Sequence, residues 1–136
     1  MNNAIIGVGI DIINAKRIKN IMDKFNLGFL KKIFTKNEIE NYGKIANSKK
    51  QILYLAKRFA AKEAFSKACG SGIGRGINFR DIEIANNNLG KPNIVIQNNK
   101  TDFLNNIFRC KKFISHLSLS DDGDMAIAHV IIEKIS

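Results

Sequence analysis

Arg58-Phe59-Ala60-Ala61-Lys62-Glu63-Ala64-Phe65-Ser66-Lys67-Ala68 is the stretch that decides the architecture. Strong helix formers dominate it, and neither glycine nor proline interrupts. The pattern predicts a helix from about Lys49 to Cys69, ended by Gly70 as the glycine just past its last turn. On a helical wheel Ile52, Ala56, Phe59, Ala60, Glu63 and Lys67 fall near one side. Leu53, Leu55, Ala61 and Phe65 occupy other faces, so the helix is expected to be largely buried. A carboxylate and an ammonium then stand in an apolar stripe, where unpaired charge is costly. The pair admits two readings. Glu63 and Lys67 are four apart with Glu first, the spacing of an ordinary helix ion pair. Alternatively, the two charges serve a site.

Upstream, Ile5 to Ile13 alternates as a strand. One face is Ile6, Val8, Ile10 and Ile12; the other is Ile5, Gly7, Gly9, Asp11 and Ile13. The two glycines leave space beside Asp11 for another group to approach closely. Asn14 is placed to cap a helix from Ala15 to Phe25, with Ile18, Ile21, Met22 and Phe25 inward and Lys16, Arg17, Lys19 and Lys24 outward. A helical turn over Gly28 to Phe34 follows. Thr35-Lys36-Asn37-Glu38 is a capping box that opens another helix to about Tyr42.

Downstream of the long helix, Gly70 to Gly76 reads as a loop, and Phe79 to Asn86 and Asn93 to Gln97 as strands joined by a turn at Gly90. Thr101 is placed to cap a helix to Cys110. Lys112 to Ser120 and Met125 to Lys134 read as paired strands, with Asp121-Asp122-Gly123-Asp124 as their turn. The class is α+β, an antiparallel sheet against a long buried helix, in one domain over residues 1–136.

A hydrophobic content of 45% argues against disorder. No apolar run approaches the ~20 residues of a membrane span, and the N-terminus lacks a secretory signal, so a cytoplasmic protein without a membrane partner is expected. Cys69 and Cys110 form no metal or redox spacing and read as reduced thiols. The net charge of +10 attracts anions such as nucleic acid, acidic proteins or phosphorylated small molecules. It is mostly lysine and dispersed, without the arginine and aromatic face of a nucleic-acid reader. A basic nucleic-acid-binding domain is nevertheless the competing class. It has no need of carboxylates in apolar elements.

Asp11 and Glu63 are such carboxylates. Brought together, two hard oxygen donors suit Mg²⁺, which takes one or two protein carboxylates, waters and phosphate oxygens. Lys67, one turn beyond Glu63, would then neutralise phosphate charge or move a proton. The spacing equally allows two unrelated, satisfied carboxylates. Gly70-Ser71-Gly72-Ile73-Gly74-Arg75-Gly76 is neither a P-loop nor a dinucleotide fingerprint, because it follows a helix and lacks the closing Lys-Ser/Thr. Its glycine amides and Arg75 remain candidate anion contacts. His116 and His129 fall within strand patterns and read as sheet or core residues.

Taken together these segments resemble the holo-[acyl-carrier-protein] synthase family of small 4′-phosphopantetheinyl transferases. The resemblance rests on Gly7-Val8-Gly9-Ile10-Asp11-Ile12 with Arg17, on Phe34 to Glu38, on Arg58 to Ala68, and on Gly70 to Gly74. It continues through Gly90-Lys91-Pro92 and His116 to Ser120. It implies the phosphopantetheinyl transferase fold and Mg²⁺-dependent transfer of the phosphopantetheine arm of coenzyme A to a serine of acyl carrier protein. Adenosine 3′,5′-bisphosphate is released, in support of fatty acid biosynthesis. It further implies Asp11 and Glu63 as metal ligands and Glu63 and Lys67 as catalytic residues. Arg58, Lys67, Gly70 and Gly72 become coenzyme contacts, and Arg17 and Lys24 carrier-protein contacts. A homotrimer is expected, with sites between subunits. One departure stands out: many members have histidine where this chain has Asp121.

Overall fold

The computed structural model describes residues 4–135. The chain runs β1 (Ala4–Asn14), α1 (Ala15–Phe25), α2 (Leu27–Ile33), α3 (Lys36–Gly43) and α4 (Ser48–Cys69). It continues through a 3₁₀ turn (Phe79–Asp81), β2 (Ile82–Asn86), β3 (Pro92–Ile96), α5 (Lys100–Phe108), β4 (Lys112–Asp122) and β5 (Met125–Ile135). β1, β5 and β4 form one antiparallel sheet in that spatial order, and β2 and β3 form a separate antiparallel hairpin.

Local chemistry sets the helix ends. Asn14 Oδ1 accepts the Lys16 amide 2.9 Å away, and Thr35 and Glu38 complete the capping box of α3. Gly70 ends α4 in the left-handed region, φ 81°, with its amide on Lys67 O. α5 starts one residue before Thr101, with Asn99 as the preceding cap, so Thr101 lies inside the helix. The stretch predicted as one strand from Phe79 is divided, because Asp81 accepts the Asn78 amide and closes a 3₁₀ turn before β2 begins.

The position of α4 follows from the two glycines of β1. A Cβ on Gly7 would overlap the carbonyl oxygen of Ala68, and one on Gly9 that of Ala64. Strand and helix backbones therefore meet with no side chain between them. Ala60, Ala61 and Ala64 pack with Ala126, Ala128, Val130 and Ile132 of β5 in a core of small residues. The group that approaches the glycines is thus the helix itself, and the approach brings the inner face of β1 against α4.

The other face of β1 is open. Val8, Ile10 and Ile12 are 56–60% exposed. Both histidines lie on exposed positions of this sheet, with His116 Nε2 3.2 Å from Glu133 Oε1. They are sheet residues and lie outside the core. In α1, Ile18 and Met22 are buried and Ile21 half-buried, but Phe25 is exposed, because the chain turns at Asn26 before its ring reaches the core.

A buried polar cluster ties α3, α4 and β2 together. Lys62 is wholly buried, and its ammonium donates to Glu38 Oε1 at 2.7 Å, Ile82 O at 2.6 Å and Phe79 O at 2.9 Å. Glu38 also accepts the amides of Thr35 and Ile84, each at 2.9 Å, and the Thr35 hydroxyl donates to Glu83. Burial pulls Lys62 below the ordinary lysine range, and Glu38 beside it opposes that shift. Cys69 and Cys110 are free thiols, and burial pushes Cys69 up to about 12, far from thiolate chemistry.

Candidate active site

Asp11 stands on the inner face of β1, two residues beyond Gly9 and opposite Ala128 of β5. The close packing at Gly7 and Gly9 sets it beside the turns of α4 that carry Glu63 and Lys67. Lys67 Nζ lies 2.9 Å from Asp11 Oδ1 and donates to Ile10 O at 3.0 Å. The Asp11 side chain is 17% exposed and that of Lys67 is 53% exposed. Among the described residues no ion pair joins Glu63 to Lys67, so the i, i+4 pair suggested by spacing is replaced by a pair across 56 residues of sequence.

Partial burial and then the Asp11 charge raise the Glu63 carboxyl above the ordinary glutamate range. Lys67 and Arg17 pull in the opposite direction. Two carboxylates and two cations therefore share one field, drawn from β1, α1 and α4. Arg17 reaches it because the Asn14 cap starts α1 immediately after β1, placing the first turn of α1 next to Asp11.

The donor set fits a hard divalent cation. Two carboxylates whose mutual repulsion is felt at Glu63 supply anionic oxygens, and no third His, Cys, Asp or Glu joins them among the described residues. That number leaves coordination positions for water and phosphate oxygens, as Mg²⁺ prefers, and falls short of a closed cage.

The other predicted residues are distributed differently. Gly70 and Gly72 follow Lys67 at the end of α4, but their amides are taken by Lys67 O and Ser66 O, so capping uses the donors predicted for the coenzyme. What they leave is room, since nothing lies within 4 Å of a Cβ at either position. Lys24 sits in the last turn of α1 with its ammonium 5.8 Å from the Phe25 ring. Arg58 is on a different side of α4 from Glu63 and Lys67. Its guanidinium stacks 3.8 Å from the Tyr54 ring centroid, it is buried, and its Nε finds no partner. It lines a polar groove of about 520 Å³ with Tyr54, Glu38, Glu83 and Asn86.

Two pairings had no signal in the sequence. Glu38 reads there as half of a capping box, yet it is also the counter-charge of Lys62. Asp121 reads as turn chemistry, yet its carboxylate lies 2.5 Å from Lys57 Nζ on α4, each about one-third exposed. Both pairs span long stretches of sequence, so only the packing of α4 creates them.

A family model described as the 4′-phosphopantetheinyl transferase superfamily matches residues 7–128, nearly the whole described chain. The chain belongs to the 4′-phosphopantetheinyl transferase superfamily. It is 44% identical over 128 residues to the holo-[acyl-carrier-protein] synthase of Ehrlichia chaffeensis, covering 94% of this chain and 96% of that one. The structure of holo-[acyl-carrier-protein] synthase from Neisseria meningitidis superposes with a TM-score of 0.86 at 37% identity, covering 96% of this chain and 100% of that one. The Bacillus anthracis synthase in complex with CoA (3′,5′-ADP) gives 0.79 at 37% identity, covering 96% and 98%. The α+β architecture, with an antiparallel sheet on a long helix, is thus the transferase fold. The field around Asp11 and Glu63 lies within the residues that the superfamily model matches.

Proposed function

We propose that this chain, a single transferase domain over residues 1–136, transfers the 4′-phosphopantetheine arm of coenzyme A to a serine of apo acyl carrier protein. The observation that carries the proposal is the convergence of Asp11, Glu63 and Lys67 at the contact of β1 with α4. In the reaction the serine oxygen attacks the phosphorus next to the pantetheine. A new P–O bond forms, the bond to the bridging oxygen breaks, and adenosine 3′,5′-bisphosphate leaves. Asp11 and Glu63 would hold Mg²⁺, which when bound draws charge from the pyrophosphate oxygens and stabilises the leaving bisphosphate.

The remaining tasks fall to side chains. Lys67 places its ammonium against the phosphate under attack and supports removal of the serine proton, with Glu63 as its neighbouring carboxylate. Gly70 and Gly72 leave space for the coenzyme past the end of α4. Arg58, lining the groove beside Tyr54 and Glu38, offers its guanidinium charge to the coenzyme phosphates from the other side of the helix. Arg17 and Lys24 of α1 face the acidic carrier protein, so the surplus of positive charge speeds and orients its docking.

The site is open within one chain. The groove of about 540 Å³ between α1 and α4 is lined by residues such as Lys16, Met22 and Ile52, and Asp11, Glu63 and Lys67 stand outside it. A homotrimer, with the exposed face of β1 against a second copy, would supply the missing wall. The exposed Val8, Ile10 and Ile12 favour such an interface. The protein would act in the cytoplasm and support fatty acid biosynthesis.

Mixing the protein with apo acyl carrier protein, coenzyme A and Mg²⁺ tests the proposal by mass spectrometry. The carrier gains one phosphopantetheine arm with the wild type. With Glu63→Ala, which keeps its circular dichroism, the gain is absent. Full transfer by Glu63→Ala removes Glu63 from the site, and no transfer by the wild type refutes the activity.

A further inference from the structure

We propose that Lys67 competes with a metal ion for Asp11, because its ammonium stands at a cation position beside that carboxylate. The inference rests on the reading of Asp11 and Glu63 as metal ligands. Glu63 is the obvious partner by spacing, four residues away on the same helix. The ammonium instead lies 2.9 Å from Asp11 Oδ1 and donates to Ile10 O at 3.0 Å. It therefore already covers a carboxylate oxygen that a metal would need.

The two members of this pair are held unequally. Asp11 sits on a strand backbone locked against α4 and is mostly covered. Lys67 reaches it on a four-carbon stem with half its side-chain surface in water. Of the two, the ammonium is the one free to leave. A dication between Asp11 and Glu63 takes Asp11 Oδ1 and repels the ammonium 2.9 Å away as a like charge. Loading the metal thus releases the donors of Lys67 at the moment when phosphate oxygens are needed to receive them. Metal and pyrophosphate each take one member of the Lys67–Asp11 pair, so binding of either favours the other.

The consequence has opposite signs for binding and for turnover. Removing the ammonium abolishes a phosphate contact, yet it also removes a competitor. A residue that merely organised the site would weaken metal binding when lost.

Isothermal calorimetry with Mg²⁺ alone, on the full chain without coenzyme A, separates the cases. Lys67→Met is expected to bind Mg²⁺ about tenfold more tightly than the wild type, the scale of one lost ion pair plus one lost repulsion. Lys67→Arg, which keeps the charge, stays near the wild type, and Asp11→Asn loses the binding. Equal or weaker binding by a folded Lys67→Met, with wild-type binding intact, overturns the inference and leaves the metal site standing. Absence of Mg²⁺ uptake by both wild type and Lys67→Met, or wild-type uptake by Asp11→Asn, removes the metal site and the inference together.

Discussion

Two lysines five residues apart on α4 meet carboxylates in opposite circumstances. Lys62 is completely buried against Glu38, with its three hydrogen-bond partners supplied by Glu38, Phe79 and Ile82. Lys67 reaches Asp11 with half its side chain in water. The pairing chemistry is the same, but the surroundings differ. A buried ammonium with every donor satisfied cannot move without leaving uncompensated charge in the core. A half-exposed ammonium can trade partners with water or phosphate at little cost. The first pair holds α4 to α3 and β2. The second joins β1 to α4 at the candidate site and leaves its ammonium free to trade partners.

The largest effect that sharpens this contrast comes from Glu38→Ala. It strands the Lys62 charge and the Ile84 amide and is expected to cost about 3–5 kcal/mol in urea unfolding. A loss below about 1 kcal/mol would break the comparison, because the buried pair would then be no more structural than the open one. Gly9→Ala comes next. Its Cβ would overlap the Ala64 carbonyl, so β1 and α4 must separate, at about 1–3 kcal/mol and with loss of transfer as Asp11 moves from Glu63. Unchanged transfer would show that the strand-to-helix contact does not position Asp11.

At the open pair, Lys67→Met is expected to change urea stability by less than about 1 kcal/mol while abolishing transfer. The smallest effect is a pH dependence. Glu63 is raised in the folded protein above its ordinary 4.5, so in that interval the native state binds the proton before the unfolded chain does. The contribution to stability is present at low pH and is lost as pH rises through the folded value. Thermal midpoints of the metal-free wild type should therefore fall relative to Glu63→Gln as pH climbs through the window above 4.5. Parallel curves would place Glu63 in ordinary solvent.

Much of the site was legible because it is built from local signals. The helix from Arg58 to Ala68, the capping box at Thr35 and the glycine-lined strand are short-range patterns, and the sequence located these elements to within a few residues. Motifs at Asp11, Glu63 and Lys67 pointed to one site through family resemblance. The structure adds that β1 and α4 touch backbone to backbone. Partners were much less legible. Spacing offered Glu63 as the ion-pair partner of Lys67, which lies at Asp11, Glu38 was a cap and is also a counter-ion, and Phe25 was expected inside and is exposed.

By itself, then, the sequence determined most of the elements and roughly where they end, since helix propensity, capping and alternation act over a few residues. Only the tertiary structure decided which charges meet. An ion pair forms between groups that packing brings within about 4 Å, whatever their separation along the chain. Here the packing is governed by two missing side chains on β1, which let α4 approach and put Lys67 on Asp11.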